Sequence, residues 1–403
     1  MVYKKFLYHR MIFLIYIIAL FSFFFLRSQE ISSQQLAAAV TLLIIPCIGI
    51  LKKSKATYKT EVLVFLFYIS IEILVSLNRY QQDFLKTAYY IANIYSILLY
   101  IYFAAFNDDI WYYKAFNKIG RLIFGSLIFS IFFYYMGIKF LDSTVYLSRD
   151  GMLRMTVGMM FCSFVIIVVF GRFVNIKNIN RKMSLNDCVF FCIAIIYIVL
   201  VTQTRMTMLG IGLAIVVMIV FCVKNLSRKV LIVVAGIITL LVILQIPSIQ
   251  DYLGKNVLGV IAGTDNSIIP RTGAISHYIQ MAENNKFVGL GIINPNATSN
   301  GLYDLNYIMR GPWGVYFYDD VGVFSFYMMF GLFGLMMYAF IFIRLFKRAW
   351  KERYIMPYKL GLVVYVFVTG FSMIITDLWR QSNIALFLLL MDLNLQPEEQ
   401  KRY

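Results

Sequence analysis

Twelve apolar runs dominate the chain, near residues 11–26, 36–51, 62–77, 87–106, 120–138, 155–171, 188–203, 206–223, 230–246, 319–343, 360–376 and 383–395. About 20 apolar residues, coiled as an α-helix, cross the roughly 30 Å hydrocarbon layer of a bilayer. Lipid offers no hydrogen-bond partner to a bare peptide group, so such segments must satisfy their own backbone as helices. The runs predict an all-α polytopic membrane protein of about 12 transmembrane helices, one integral-membrane domain over residues 1–403. The second, seventh and last runs are short, and eleven spans or re-entrant segments account for them equally. The first run follows Lys4-Lys5 as a signal peptide would, but it lacks a small-residue cleavage site and reads as a retained span. A soluble fold is excluded by amount: 61% of the 403 residues are hydrophobic, 14% are charged, and mean hydropathy is +0.76.

Successive connections face opposite sides of the membrane, which lets the basic residues test the count. With both termini in the cytoplasm, 25 of the 37 Lys and Arg fall on cytoplasmic segments, among them Lys52-Lys53-Ser54-Lys55, Arg181-Lys182, Arg228-Lys229 and the stretch from Arg344 to Lys359. That set is 16 Lys and 9 Arg, the chemistry that anchors helix ends to anionic headgroups. The net charge of +17 is therefore spread over helix ends and forms no patch for nucleic acid. Of the 12 exterior basic residues eight are arginine: Arg27, Arg79, Arg149, Arg154, Arg205, Arg271, Arg310 and Arg380. A guanidinium holds phosphate or carboxylate through paired hydrogen bonds and stays charged when partly desolvated. An exterior arginine set points to an anionic ligand at the outer face; pairing with exterior carboxylates is the competing account.

One connection is far longer than the rest. Residues 247–318 form a large external loop with a polar stretch from Asp251 to Trp313, and loops of this length usually carry function. Within it the stretch Arg271 to Glu283 opens after Pro270, with apolar residues at 275, 278, 279 and 282, the spacing of an amphipathic helix on the outer surface. Gly289-Leu-Gly291 and Asn294-Pro295-Asn296 then turn the chain. Arg271 lies in the first turn, where the helix dipole disfavours a cation; a bound phosphate or Asp265 would compensate.

Three other places carry charge where it is unusual. Thr202-Gln203-Thr204-Arg205 joins two spans with almost no loop and fixes Arg205 at their outer end, either as a catalytic cation or as one snorkelling to headgroups. Asp319-Asp320 head the tenth span; helix-end electrostatics alone favours them there, and mutual repulsion would also make one a better proton acceptor. Glu72 stands inside an apolar run, a functional candidate or a partner of Asn93 or Ser96. The five cysteines, Cys47, Cys162, Cys188, Cys192 and Cys222, lie in or beside apolar runs without a histidine or carboxylate cluster, so no metal site or disulfide framework is expected.

Thr202-Gln-Thr-Arg205 is a Ser/Thr-rich motif ending in arginine between two spans. Arg271 to Gly291 has an arginine, an amphipathic helix and a Gly-x-Gly turn. Asp320 to Gly334, DVGVFSFYMMFGLFG, follows the loop and ends Gly-Leu-x-Gly. Together, over roughly residues 200–340, they resemble the O-antigen ligase and polymerase family, the Wzy-type bacterial enzymes that join sugar repeat units carried on polyprenyl diphosphate. Ligase-like members begin the last segment with histidine where this chain has Asp320, which favours a polymerase of O-antigen, exopolysaccharide or capsule.

The resemblance implies a glycosyltransferase of the bacterial cytoplasmic membrane that needs no metal and no cofactor. Its substrate would be a polyprenyl-diphosphate-linked oligosaccharide at the outer face of the lipid bilayer, with a flippase and a chain-length regulator as partners. Asp320 would take the proton of the attacking hydroxyl, with Asp319 and the exterior histidine His277 as substitutes; Arg205 and Arg271 would hold the diphosphate, supported by Arg310, Arg149 and Arg154. Ligase-like transfer to another acceptor is one alternative. A flippase or transporter of the same glycans is the other, against which stands the absence of a visible internal repeat.

The topology is open to direct test. In a background without native cysteines, Ser299→Cys should react with a membrane-impermeant thiol reagent on intact cells; labelling only after permeabilisation overturns the assignment.

Overall fold

The computed structural model describes residues 2–21, 54–84, 87, 92–138, 147–149, 152–155, 158–178, 185–202, 204–227, 229–230, 234, 268–293, 310–311, 314–316, 321–372, 374 and 380–395. The helices are α1 (Val2–Phe21), α2 (Lys59–Tyr80), α3 (Leu98–Ala104), α4 (Asp109–Tyr135), α5 (Met159–Asn178), α6 (Leu185–Tyr197), α7 (Arg205–Cys222), α8 (Ile268–Ala282), α9 (Val323–Lys351), α10 (Pro357–Gly370) and α11 (Ile384–Asp392). A 3-10 turn, Ala92–Ile97, leads into α3, and a π turn, Ile198–Thr202, continues α6. Two antiparallel hairpins pair β1 (Leu147–Arg149) with β2 (Met152–Arg154) and β3 (Arg310–Gly311) with β4 (Gly314–Val315).

Among the described residues four helices, α2, α4, α7 and α9, are long and apolar enough to cross a membrane, and shorter apolar helices lie at Tyr8–Ile18, Ile94–Ala104, Met159–Asn175, Leu185–Tyr197, Pro357–Gly370 and Gln381–Asp392. Each coincides with a predicted run. The runs 36–51 and 230–246 fall outside the described residues, apart from 230 and 234.

Burial sorts the helices into layers. Side chains are buried from Phe161 to Gly171 in α5 and from Ile384 to Met391 in α11, with no polar face between them. A helix that is apolar all round belongs in an interior. α10 packs against both α5 and α7 around this centre. The outer helices instead expose large apolar side chains: Phe67 and Leu74 on α2, Phe129 and Phe132 on α4, Met336 and Phe340 on α9. Such a surface would associate in water and is the natural face toward lipid.

Contacts at the helix ends divide the connections into two groups. At one end Arg348 donates to Asp392 (2.6 Å), Thr57 (2.7 Å), Asn394 (2.9 Å) and Glu352 (3.0 Å), while Tyr100 donates to the other oxygen of Asp392 (2.8 Å). Buried Lys359 pairs with Glu352 and donates to the Leu393 carbonyl (2.7 Å). Arg10 and His9 meet Asp108, Arg121 and Arg172 meet Asp187, and Arg344 meets Glu61. These residues lie on the segments that charge counting groups together as the lysine-rich side. At the opposite end Tyr80 and Gln82 donate to the carbonyls of Leu290 (3.0 Å) and Ile292 (2.9 Å), and Arg154 to that of Thr202 (3.4 Å). The alternation of sides deduced from sequence and the packing of the helix ends thus sort the connections in the same way.

The stretch that follows α8 docks on the bundle through a break in a helix. α9 is interrupted at Gly331, where φ is 60° and ψ −163°. A break exposes peptide groups that hydrocarbon cannot satisfy, at several kcal/mol each. Here the segment after α8 supplies partners: Leu290 and Gly291 donate to the carbonyls of Met328 (2.7 Å) and Met329 (2.9 Å), and Leu332 and Phe333 donate to those of Lys286 (2.8 Å) and Phe287 (3.0 Å). The Tyr68 hydroxyl takes the Phe330 carbonyl (2.9 Å). Glycine is needed on both sides. A Cβ on Gly289 would stand 2.5 Å from the Met329 carbonyl oxygen, and one on Gly331 2.5 Å from the Phe287 carbonyl.

α8 forms as an amphipathic helix, with its buried face at Ala274, Tyr278 and Ala282. The sequence pattern assigned Ile279 to that face as well, but it is 45% exposed. Packing on α9 selects the four-residue spacing, and Ile279 falls outside that stripe.

Gly331→Ala should destabilise the protein markedly, since it combines a positive-φ conformation costing about 1–3 kcal/mol with a backbone collision. Thermal unfolding in detergent should shift down by several degrees or the folded monomer should be lost. Gly212→Ala, where an added Cβ meets nothing within 4 Å, is the control; equal behaviour of the two variants refutes the interlock.

Candidate functional site

The first element of the site is the turn between α6 and α7. Thr202 donates to the Ile198 carbonyl (2.7 Å) and so closes the π turn, and Thr204 donates to the Thr202 carbonyl (3.1 Å). Thr204 is extended, with φ −99° and ψ 106°, and Arg205 begins α7 immediately after it. The β1–β2 hairpin lies against this turn: the Met155 amide donates to the Val201 carbonyl (3.1 Å) and Arg154 Nε to that of Thr202. Arg154 and Arg205 are thus brought to one turn, with Arg149 on the same hairpin in register with Met152. The side chain of Arg149 lies outside the described residues.

The second element is the docked external stretch. Arg271 is the fourth residue of α8 and is exposed. His277 lies with its ring 5.4 Å from that of Tyr316 and 5.9 Å from that of Tyr278. Tyr278 is fully buried and donates to the Tyr316 carbonyl (3.0 Å), which ties α8 to the chain leaving the β3–β4 hairpin. Arg310 is in that hairpin opposite Val315; its side chain, like both Asp319 and Asp320, is outside the described residues. Ala274, Tyr278, Leu290, Tyr316, Val321 and Met328 belong to a small core separate from that of the bundle. Val321 directly follows Asp320, so this core holds the chain next to the carboxylate pair.

The last turn of α10 bridges the two elements. Gly322, with φ +52°, abuts it so closely that a Cβ there would stand 2.3 Å from the Gly370 carbonyl oxygen. On the other side, a Cβ on Gly210 of α7 would meet Thr369 at 2.9 Å and Tyr365 at 3.0 Å. The Tyr365 hydroxyl lies among Ser163, Thr207 and Arg380, adding an arginine that the motifs did not single out. The segments that carry the three motifs, far apart in sequence, therefore pack at one end of the bundle, opposite the Arg348 network. Among the described residues no three His, Cys, Asp or Glu side chains cluster as a metal site would require.

Sequence reasoning singled out Glu72 on α2 but not the stripe to which it belongs. Its Tyr68, Glu72, Ser76 and Tyr80 repeat every four residues and make one polar stripe in an apolar helix. Tyr68 and Tyr80 satisfy carbonyls of α9 and the docked loop, Ser76 accepts from the Ile292 amide (2.8 Å), and Glu72 lies buried beside Tyr68. The four-residue spacing was the available signal. Ser96, offered as a partner for Glu72, makes no side-chain hydrogen bond among the described residues, and the Asn93 side chain is outside them.

No curated protein matches the chain at a significant level. Residues 190–339, a stretch that contains all three motifs, match the family model described as O-antigen ligase, in agreement with the resemblance that those motifs carry.

Proposed function

We propose that the protein is a polysaccharide polymerase acting at the outer face of the bacterial cytoplasmic membrane, with both termini in the cytoplasm. The observation that supports this reading is that the last turn of α10 packs on Gly210 of α7 and on Gly322 at the head of α9, while α8 docks on α9, so the segments bearing the three motifs lie at one end of the bundle. A sugar hydroxyl of one lipid-linked repeat unit attacks the anomeric carbon of a second glycan chain. The new C–O bond forms as the bond to diphosphate breaks, the electron pair leaves with polyprenyl diphosphate, and the hydroxyl proton passes to Asp320.

Diphosphate is already a good leaving group. The protein's task is alignment and neutralisation of developing charge, which positioned guanidinium groups perform. Arg205 and Arg271 take this role, with Arg154, Arg149 and Arg310 around them. A flippase would deliver the lipid-linked units and a chain-length regulator would act on the product. The family's description favours a second reading, ligation to a different acceptor. Supplying lipid-linked repeat units alone to the purified protein separates the two: a polymerase lengthens them, a ligase leaves them unchanged.

Lysine keeps the charge of arginine but loses the planar fork. Arg205→Lys and Arg271→Lys should express normally and lose about tenfold or more in polymer formation, the effect of disrupting roughly 1.5–3 kcal/mol of charge-assisted bonding. Full activity in both variants would show that the two residues only anchor helices.

The base is tested by near-isosteric amides. Asp320→Asn should lower turnover by about two decades while substrate still binds, and Asp319→Asn should do less. If His277→Gln takes the large loss and Asp320→Asn is nearly silent, the histidine is the base. Retained turnover in all three variants removes general-base catalysis from this end of the protein.

A further inference from the structure

A groove of about 490 Å³ runs along the seam of α8 and α9, lined by Ser276, Ile279, Gln280, Glu283, Lys286 and Tyr327. Ser276 and Gln280 come from one face of α8, at positions i and i+4, Glu283 and Lys286 from the turn that follows, and Tyr327 from α9. Opposite charges three apart on helical backbone commonly pair. Glu283 and Lys286 make no ion pair among the described residues, and Ser276, Gln280 and Tyr327 make no side-chain hydrogen bond there. The groove thus presents a carboxylate, an amide and two hydroxyls without a hydrogen-bond or ion-pair partner among the described residues, and an ammonium that lies 5.7 Å from the centroid of the Phe287 ring, beside the apolar surface of Ile279 and the Tyr327 ring.

Two ligand chemistries suit a groove beside the arginine-bearing end. A diphosphate would gain Lys286 but face Glu283 at the same distance of a helical turn, and like charge at close range is costly. A pyranose has an apolar face that rests on an aromatic ring and a rim of hydroxyls that both donate and accept. Glutamate accepts, lysine donates, and glutamine does both, so the lining matches the sugar and not the anion. Position agrees with this. Phe287 and Val288, which follow Lys286 in the chain, are 64% and 53% exposed, an apolar surface of the kind that faces lipid.

We propose that this groove binds a sugar ring of the glycan, apart from the arginines that hold diphosphate. This rests on the reading of the chain as a glycan-transfer enzyme, and it assigns Gln280, Glu283, Lys286 and Tyr327 to substrate binding without a part in bond making. Groove variants should therefore raise KM for the lipid-linked unit and leave kcat nearly unchanged, whereas the arginine variants lower kcat.

The test uses the full chain in nanodiscs. The probe is the set of lipid-free oligosaccharides obtained by depolymerising the producing cell's own surface polysaccharide, with binding followed by saturation-transfer NMR. Wild-type protein should bind, Gln280→Ala and Glu283→Gln should weaken binding by about tenfold, and Arg205→Lys should bind as wild type. Both altered side chains are exposed, and unfolding temperatures equal to wild type show that the variants fold. Wild-type binding and KM in both groove variants overturn the groove while leaving transfer intact. Oligosaccharide binding that depends on Gln280 and Glu283, in a protein that transfers no glycan in any assay, supports the groove and overturns the enzymatic reading instead. Failure of wild-type protein to bind any of the oligosaccharides overturns the groove.

Discussion

Every peptide group placed in hydrocarbon must find a partner within the protein, and the break at Gly331 is where this rule shapes the molecule most. An uninterrupted α9 would have needed no help. Because it is interrupted, the segment Lys286 to Gly291 has to lie against it, with four backbone hydrogen bonds fixing the position. Those bonds work only because Gly289 and Gly331 let two backbones approach more closely than any side chain permits. The stretch after α8 is thereby docked by its main chain, the least mutable set of contacts available, and the exposed side chains of α8 remain available for other work.

The opposite end is held by different chemistry. Arg348 alone joins the end of α9 to Thr57, Asp392 and Asn394, and Lys359 ties the start of α10 into the same network. Lys359 is its fully buried member, and removing the partner of a buried charge typically costs about 3–5 kcal/mol, because that charge is left uncompensated. This qualifies the argument from arginine content. Arg10, Arg121, Arg172, Arg344 and Arg348 all pair with carboxylates in structural roles. The fork of a guanidinium therefore does not by itself mark a ligand; the weight falls on where Arg205 and Arg271 are placed.

Apolar run length and charge alternation made the helices and the two-sided arrangement of their connections legible, since both follow from the bilayer as solvent. The motifs around Arg205, Arg271 and Asp320 were legible as separate stretches. Their convergence was not, because it depends on Gly210 and Gly322 touching the same turn of α10, and close backbone approach leaves no trace in hydropathy. The break in α9 was hidden for a related reason: Met328 to Leu332 reads as uninterrupted span, and one glycine in an apolar run is common. The stripe of Tyr68, Glu72, Ser76 and Tyr80 could have been read, as it has helical spacing, but its meaning needed the loop it receives.

The candidate site is consequently divided between two supports. Arg154 and Arg205 belong to the bundle, braced by the π turn and the β1–β2 hairpin; Arg271 and His277 belong to the docked stretch. Alignment of reacting groups contributes several kcal/mol to catalysis, and a displacement of about 1 Å forfeits much of it. A loop merely tethered at both ends could not hold such a tolerance. Docking through the backbone at a helix break can, and the polar stripe of α2 grips the same loop from the other side through Ile292 and Leu290. Strained glycines and an interrupted span reduce stability; in the proposed reading that cost serves the alignment of Arg205 and Arg271, which lie more than sixty residues apart in the chain.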